Sequence, residues 1–224
     1  EGYGLDMYCE KARPLIYEQI QNADAEIHFL TGGTETNLIA LSSFLRPHEA
    51  IIACKTGHIY VHETGAIEAT GHKIIITEEK EGKIQIPQIQ KVLEDHNDEH
   101  SVKPRLIYIS NSTELGSIYS KEDLKTLSDF CKKNNLLLYM DGARLGAAFS
   151  SKNYDLNLKD IASLVDAFYI GGTKNGALFG EALVIVNKDL QKDFRYFIKQ
   201  KGGLLAKGRL LGIQFQCLFE NNLF

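Results

Sequence analysis

Leu136-Leu-Leu-Tyr-Met-Asp-Gly-Ala-Arg144 is an apolar run that ends on an acid. Asp166-Ala-Phe-Tyr-Ile-Gly-Gly-Thr-Lys174 is a second run, broken by two glycines directly before a lysine. Runs this short and this apolar read as strands buried on both faces, here over Leu136–Met140 and Asp166–Ile170. Two such strand ends deliver Asp141 and Lys174 to one edge of a sheet. The glycines before Lys174 let backbone come close to a ligand there.

Outward from this pair the same alternation repeats. Strands are expected at Glu26–Leu30, Ile51–Cys54, Lys73–Thr77, Leu106–Ile109 and Glu181–Val186. Helical spacing of apolar residues predicts helices over Lys11–Asn22, Ile86–Asp95, Lys121–Asn135, Asp189–Gln200 and Leu211–Glu220. A further helix starts after Gly32-Gly33, with Thr34 as its N-cap, Leu38, Leu41 and Leu45 on one face, and Pro47 as its stop. Strands alternating with helices specify an α/β fold, a mainly parallel sheet covered by helices on both faces. Right-handed crossovers then gather the motif-bearing loops at one sheet edge, where such folds bind ligands. No repeat, low-complexity tract or linker divides the chain, so residues 1–224 are expected to form one domain.

An amine and a carboxylate at one sheet edge suit a pyridoxal phosphate site. The amine condenses with the cofactor aldehyde, and the carboxylate keeps the ring nitrogen protonated. The motifs Asp141-Gly-Ala-Arg144, Thr173-Lys174 and Gly32-Gly-Thr-Glu-Thr-Asn37 resemble those of the threonine aldolase family. That family belongs with the β-eliminating lyases of the aspartate-aminotransferase-like (fold type I) pyridoxal phosphate enzymes. The likeness runs through most of the chain and implies the large, cofactor-binding domain of that fold. Neither the N-terminal segment nor the small C-terminal domain of the relatives is recognisable, so a longer parent chain is expected.

Strand, glycine turn and helix N-terminus make an anion site from backbone N–H groups. The resemblance places the cofactor phosphate there, at Gly33 and Thr34, where residues alone would suggest an ordinary strand-to-helix turn. In Gly57-His-Ile-Tyr-Val-His-Glu-Thr-Gly65 it identifies His58 as the ring that stacks on the cofactor. His62, His72, His96 and His100 read as ordinary surface or capping residues. Arg144 is expected to point into the same pocket and hold the substrate carboxylate or the cofactor's phenolic oxygen. A lysine sheltered after a buried strand is expected to have a lowered pKa. In Ser110-Asn-Ser-Thr-Glu-Leu-Gly116 the family usually carries a histidine where this chain has Thr113.

The resemblance implies retro-aldol cleavage of threonine-like amino acids to glycine and an aldehyde. The base is left open between His58 and a water held by it or by Glu63. Two alternatives stand: a β-eliminating lyase, and a non-catalytic cofactor-binding module. The segment Lys201-Gly-Gly-Leu-Leu-Ala-Lys-Gly-Arg209 resembles the family stretch that reaches a phosphate in the neighbouring subunit. Lys201, Lys207 and Arg209 therefore imply a homodimer or homotetramer.

Composition narrows the partners. The balance of 25 basic and 29 acidic residues gives net −4 without a basic block, which argues against nucleic acid. No apolar run approaches bilayer length and no signal pattern opens the chain, so a cytoplasmic protein without a membrane partner is expected. Cys9, Cys54, Cys131 and Cys217 lack metal-ligand spacing, and read as buried, reduced thiols rather than a metal site.

Overall fold

The computed structural model describes residues 2–220, 223 and 224. In chain order its elements are α1 (Met7–Ile20), β1 (Glu26–Leu30), α2 (Gly33–Phe44), β2 (Glu49–Cys54), α3 (His58–Val61), β3 (Ile74–Thr77), β4 (Glu79–Lys80), β5 (Lys83–Ile84) and α4 (Ile86–Asp95). There follow β6 (Lys103–Ser110), α5 (Lys121–Lys133), β7 (Leu137–Asp141), α6 (Leu145–Phe149), α7 (Leu158–Leu164), β8 (Ala167–Gly171), β9 (Glu181–Ile185), α8 (Phe194–Gln200) and α9 (Arg209–Glu220).

Seven strands form one sheet in the order β1-β9-β8-β7-β6-β2-β3, and β4 and β5 make a separate hairpin. Pairings from β3 through β8 are parallel, whereas β9 runs antiparallel to both β8 and β1. The reversal has a simple cause. Residues 172–180 between β8 and β9 hold no helix, and a parallel return needs a longer crossover. Glu181, at the start of β9, pairs with Gly171 and with Leu30 at the ends of β8 and β1. The carboxyl ends of the parallel strands and the amino end of β9 thus share one edge.

Every residue of β2, β7, β8 and β9 is buried, as continuous apolar runs require. Alternate strand residues feed two cores. Ile27, Ile107, Met140, Phe168 and Val184 pack with helical residues such as Ile16, Leu124, Ile161 and Phe215 on one face. Leu30, Tyr108, Tyr139, Tyr169 and Leu183 pack with Ile39, Phe44, Phe194 and Ile198 on the other. The second face carries the site.

Local chemistry explains where element bounds differ from expectation. α1 begins before Lys11 because Asp6 caps it, accepting from the N–H of Tyr8 at 3.1 Å and of Cys9 at 3.0 Å. Gly32, not Thr34, is the cap of α2, and Thr34 lies exposed inside the first turn without a capping bond. The helix expected over Asp189–Gln200 is divided, because Asp193 sits at φ +59°, which no right-handed helix accommodates. α6 and α7 were not expected; α7 is held by a reciprocal cap in which Asn157 accepts from the Asp160 N–H at 2.8 Å. Cys9, Cys54 and Cys131 are buried as expected, but Cys217 is exposed. No described helix is long and apolar enough to cross a membrane.

Candidate active site

Three loops at the shared edge surround a cavity of about 310 Å³. Thr31 to Thr34 come from the β1–α2 turn, His58 from the start of α3, and Thr173, Lys174 and Phe179 from the β8–β9 loop. Ala143, Tyr169 and Glu181 complete the wall. The first N–H groups of α2 have no partner inside the helix and carry the positive end of its dipole. Gly33 is needed for close approach: a Cβ there would lie 2.9 Å from the Tyr169 hydroxyl. Gly32 has open space beside it. This is a cradle for an anionic group.

Asp141 lies behind the wall, only 3% exposed, at the end of β7. Tyr169 donates its hydroxyl to Oδ1 at 2.5 Å, and the Ala143 N–H donates to the same oxygen at 3.0 Å. Tyr108 donates to Oδ2 at 2.5 Å, and Asn37 Nδ2 donates to that oxygen at 3.2 Å. Each oxygen of Asp141 thus takes two donors from the protein. Burial and the charge of Asp141 push both tyrosine hydroxyls well above their usual pKa, which keeps them protonated donors.

Asn37 joins this cluster to His58. Its amide also donates to Glu63 Oε1 at 2.7 Å, and its carbonyl accepts from Tyr139 at 3.0 Å. His58 Nδ1 bonds the same Glu63 oxygen at 2.8 Å, and this bond raises the imidazole pKa. His58, Glu63 and Asp141 place ligand-type atoms within 4.8 Å of one another. Asn37 Nδ2 lies between the two carboxylates and donates to both.

Lys174 reaches the cavity wall from a tightly fastened loop. Gly172 and Thr173 donate their N–H groups to the Gly180 carbonyl at 3.0 and 3.1 Å. Asn175 Nδ2 ties the loop to the carbonyls of Gly171 and Ala143 at 2.7 and 3.0 Å. The side chain of Lys174 is exposed, not sheltered as expected, because the loop turns outward past Gly172. Arg144 is half-buried and is not among the residues that line the cavity. Among the described residues it forms no side-chain hydrogen bond or ion pair. Lys201, Lys207 and Arg209 also lie off this chain's cavity, with Lys207 and Arg209 exposed.

Four residues of the site were not assigned from sequence. Tyr108 and Tyr169 each stand two residues before a strand end, on the face that Asp141 shares, a period-two signal that could have found them. Asn37 closes the quoted Gly32–Asn37 motif. Glu181 is 3% exposed and takes the Gly172 N–H at 2.8 Å; burial pushes its pKa up to about 7. Thr113 is 1% exposed and bonded to Ser117 at 2.8 Å, so that loop offers no ring in place of the absent histidine. His96 bonds the Val92 carbonyl at the end of α4, as a capping residue does, whereas His72 is neither surface nor cap: it is buried and bonds the Glu49 carbonyl of β2 at 3.1 Å.

The donor set fits pyridoxal phosphate: an amine for its aldehyde, an anion cradle, a flat ring and a buried carboxylate. Comparison with known proteins agrees. A low specificity L-threonine aldolase from Pseudomonas aeruginosa is 34% identical over 211 residues, covering 93% of this chain and 61% of that protein. Another, from a Pseudomonas species, is 34% identical over 98% of this chain and 64% of its own length. A threonine aldolase structure from Leishmania major matches with a TM-score of 0.98 and 53% identity, over 99% of this chain and 65% of its own. The chain thus spans less than two thirds of each of these relatives. A C–S lyase structure from Staphylococcus hominis, described as bound to pyridoxal phosphate, shares the fold at 15% identity and a TM-score of 0.70. The β-eliminating lyase model matches residues 9–222, and the chain belongs to that pyridoxal-phosphate-dependent family.

Proposed function

We propose that the cavity binds pyridoxal 5'-phosphate and serves to cleave the Cα–Cβ bond of threonine-like β-hydroxy amino acids, giving glycine and an aldehyde. The observation that carries this reading is the meeting of Lys174, the α2 cradle and His58 around one cavity, with Asp141 directly behind it. The named relatives are threonine aldolases, which supports the substrate class.

When bound, the cofactor supplies an aldehyde and a ring that takes up the electron pair of a broken Cα bond. The protein's part is to bind, orient and move protons. Gly33 and Thr34 hold the phosphate through backbone N–H groups. Lys174 presents its amine to the aldehyde. His58 would hold the ring and Asp141 would keep its nitrogen protonated with a negative charge. Arg144 turns inward to hold the substrate carboxylate, which selects the bond that breaks.

His58 takes the β-hydroxyl proton in its neutral form, directly or through water, with Glu63 orienting Nδ1. The bond to Glu63 raises its pKa, so the reaction needs pH high enough to free the ring of its proton.

Within the same reading, residues 1–224 form the large domain of a cytoplasmic homodimer or homotetramer. Lys201, Lys207 and Arg209 reach the phosphate of the neighbouring subunit. The test combines visible absorbance on adding cofactor, borohydride fixation with mapping of the labelled lysine, and product analysis with threonine. Label on Lys174 with glycine and acetaldehyde formed supports the proposal. Ammonia and a keto acid instead would make the protein a β-eliminating lyase. Mixing inactive Lys174→Ala and Arg209→Ala chains tests the shared site: regained activity supports it, and a monomer that binds cofactor tightly rules it out.

A further inference from the structure

Asp141 is held by four donors, two on each oxygen. Two of them are tyrosine hydroxyls at 2.5 Å, the short end of the roughly 2.5–2.7 Å range for O–H···O⁻ bonds. They come from the strands on either side: Tyr108 from β6 and Tyr169 from β8, each 1% exposed. Neither ring is free to turn away. Tyr108 is stacked on Tyr139 with centroids 6.0 Å apart, and Tyr169 abuts Gly33 at the cavity wall. Both hydroxyls donate to the carboxylate, one on each of its oxygens. This fixes the carboxylate plane from both sides.

We propose that Tyr108 and Tyr169 are positioning residues that orient Asp141 and draw on its negative charge, so that a proton shared with a ring nitrogen resides on the nitrogen. The inference rests on the cofactor reading above. The physical reason is a competition between two bases for one proton. Each hydroxyl bond weakens the carboxylate as a base, and hydrogen bonds to charged groups are the stronger class. Without the hydroxyls the proton moves toward Asp141, and the ring becomes a poorer acceptor of electrons. The device is local, built by strand register, and independent of which amino acid enters the cavity.

The test uses pyridoxal phosphate labelled with nitrogen-15 at the ring, bound to the wild-type chain, Tyr108→Phe, Tyr169→Phe and the double variant. At neutral pH the ring-nitrogen resonance of each single variant moves toward its unprotonated position, and that of the double variant moves furthest. The ratio of nitrogen-bound to oxygen-bound proton falls by roughly tenfold to a hundredfold per hydroxyl removed. A second measurement does not need the variants to fold. Replacing every tyrosine by 3-fluorotyrosine makes the hydroxyls stronger donors and moves the resonance the opposite way. A third needs no cofactor: the chain alone shows two hydroxyl protons far downfield, one lost in each variant and both lost in Asp141→Leu. Ring-nitrogen signals that stay in place in the variants and with fluorotyrosine overturn the inference while leaving the cofactor reading intact. A wild-type chain that captures no cofactor at Lys174 overturns both.

Discussion

Asp141 ends β7 and Lys174 follows the end of the neighbouring β8 by three residues, yet the chain treats them in opposite ways. Asp141 is 3% exposed, and four donors occupy its two oxygens. Lys174 is exposed, and among the described residues its amine forms no hydrogen bond or ion pair, though its charge is felt by Glu181 and His58. What is fastened on the lysine side is the backbone of the 172–180 loop, through Asn175, Gly180 and Glu181. The difference follows from chemistry. A carboxylate that must stay charged while buried needs its hydrogen bonds in advance. An amine that must react and be displaced again is better held by its loop than by a competing acid.

The largest expected effect lies on the lysine side. Lys174→Ala abolishes borohydride-fixed cofactor and leaves the folding transition in place, read by mass spectrometry and circular dichroism. Label found on another lysine would break the comparison at its root. Next comes Asp141→Asn, which keeps capture at Lys174 and lowers turnover by roughly 10²–10⁴, the scale for a misdirected or missing electrostatic group. Near-normal turnover in that variant would show that the carboxylate does not face the ring nitrogen.

Glu181 tests how the lysine loop is anchored. Its pKa is raised to about 7 by burial, so the folded chain binds this proton more tightly than the unfolded one. Its contribution therefore favours folding in acid and is lost as pH rises from about 4.5 to about 7, by at most on the order of 3 kcal/mol. Glu181→Gln should remove that slope from denaturation measured across the window, while the amide oxygen of the new side chain still accepts from the Gly172 N–H. An unchanged slope would mean the group is solvated in the folded chain.

On the acid side, Glu63→Gln removes the anion that raises the His58 pKa. The histidine titration, followed by NMR, should move down toward its ordinary value, and the acid limb of the activity profile should move with it. A limb that stays in place would assign the base elsewhere. The smallest effect is Thr34→Ala. The side chain caps nothing, so stability should change by no more than roughly 0.5 kcal/mol. Affinity for pyridoxal phosphate should also change little, because alanine keeps the backbone N–H that faces the phosphate; a large loss would assign the contact to the hydroxyl.

The strands that carry the site were legible because burial on both faces leaves a run of apolar residues that nothing else explains. Leu137–Asp141 and Ala167–Gly171 lie within a residue of the runs read from sequence. Helix ends were less legible, because they depend on single capping residues such as Asp6 and on backbone turns such as that at Asp193. By itself, then, the sequence determined the α/β order, the sheet edge to which Asp141, His58, Gly33 and Lys174 belong, and the family motifs that name the cofactor. Only the tertiary structure decided that Tyr108, Tyr169 and Asn37 converge on Asp141, and that Glu181 meets the lysine loop from an antiparallel strand. It also decided that Lys174 is exposed and Arg144 stands off the cavity. The reason is separation along the chain: Asn37 and Asp141 are 104 residues apart, and the packing of α2 on the sheet, which no local pattern encodes, brings them within a hydrogen bond.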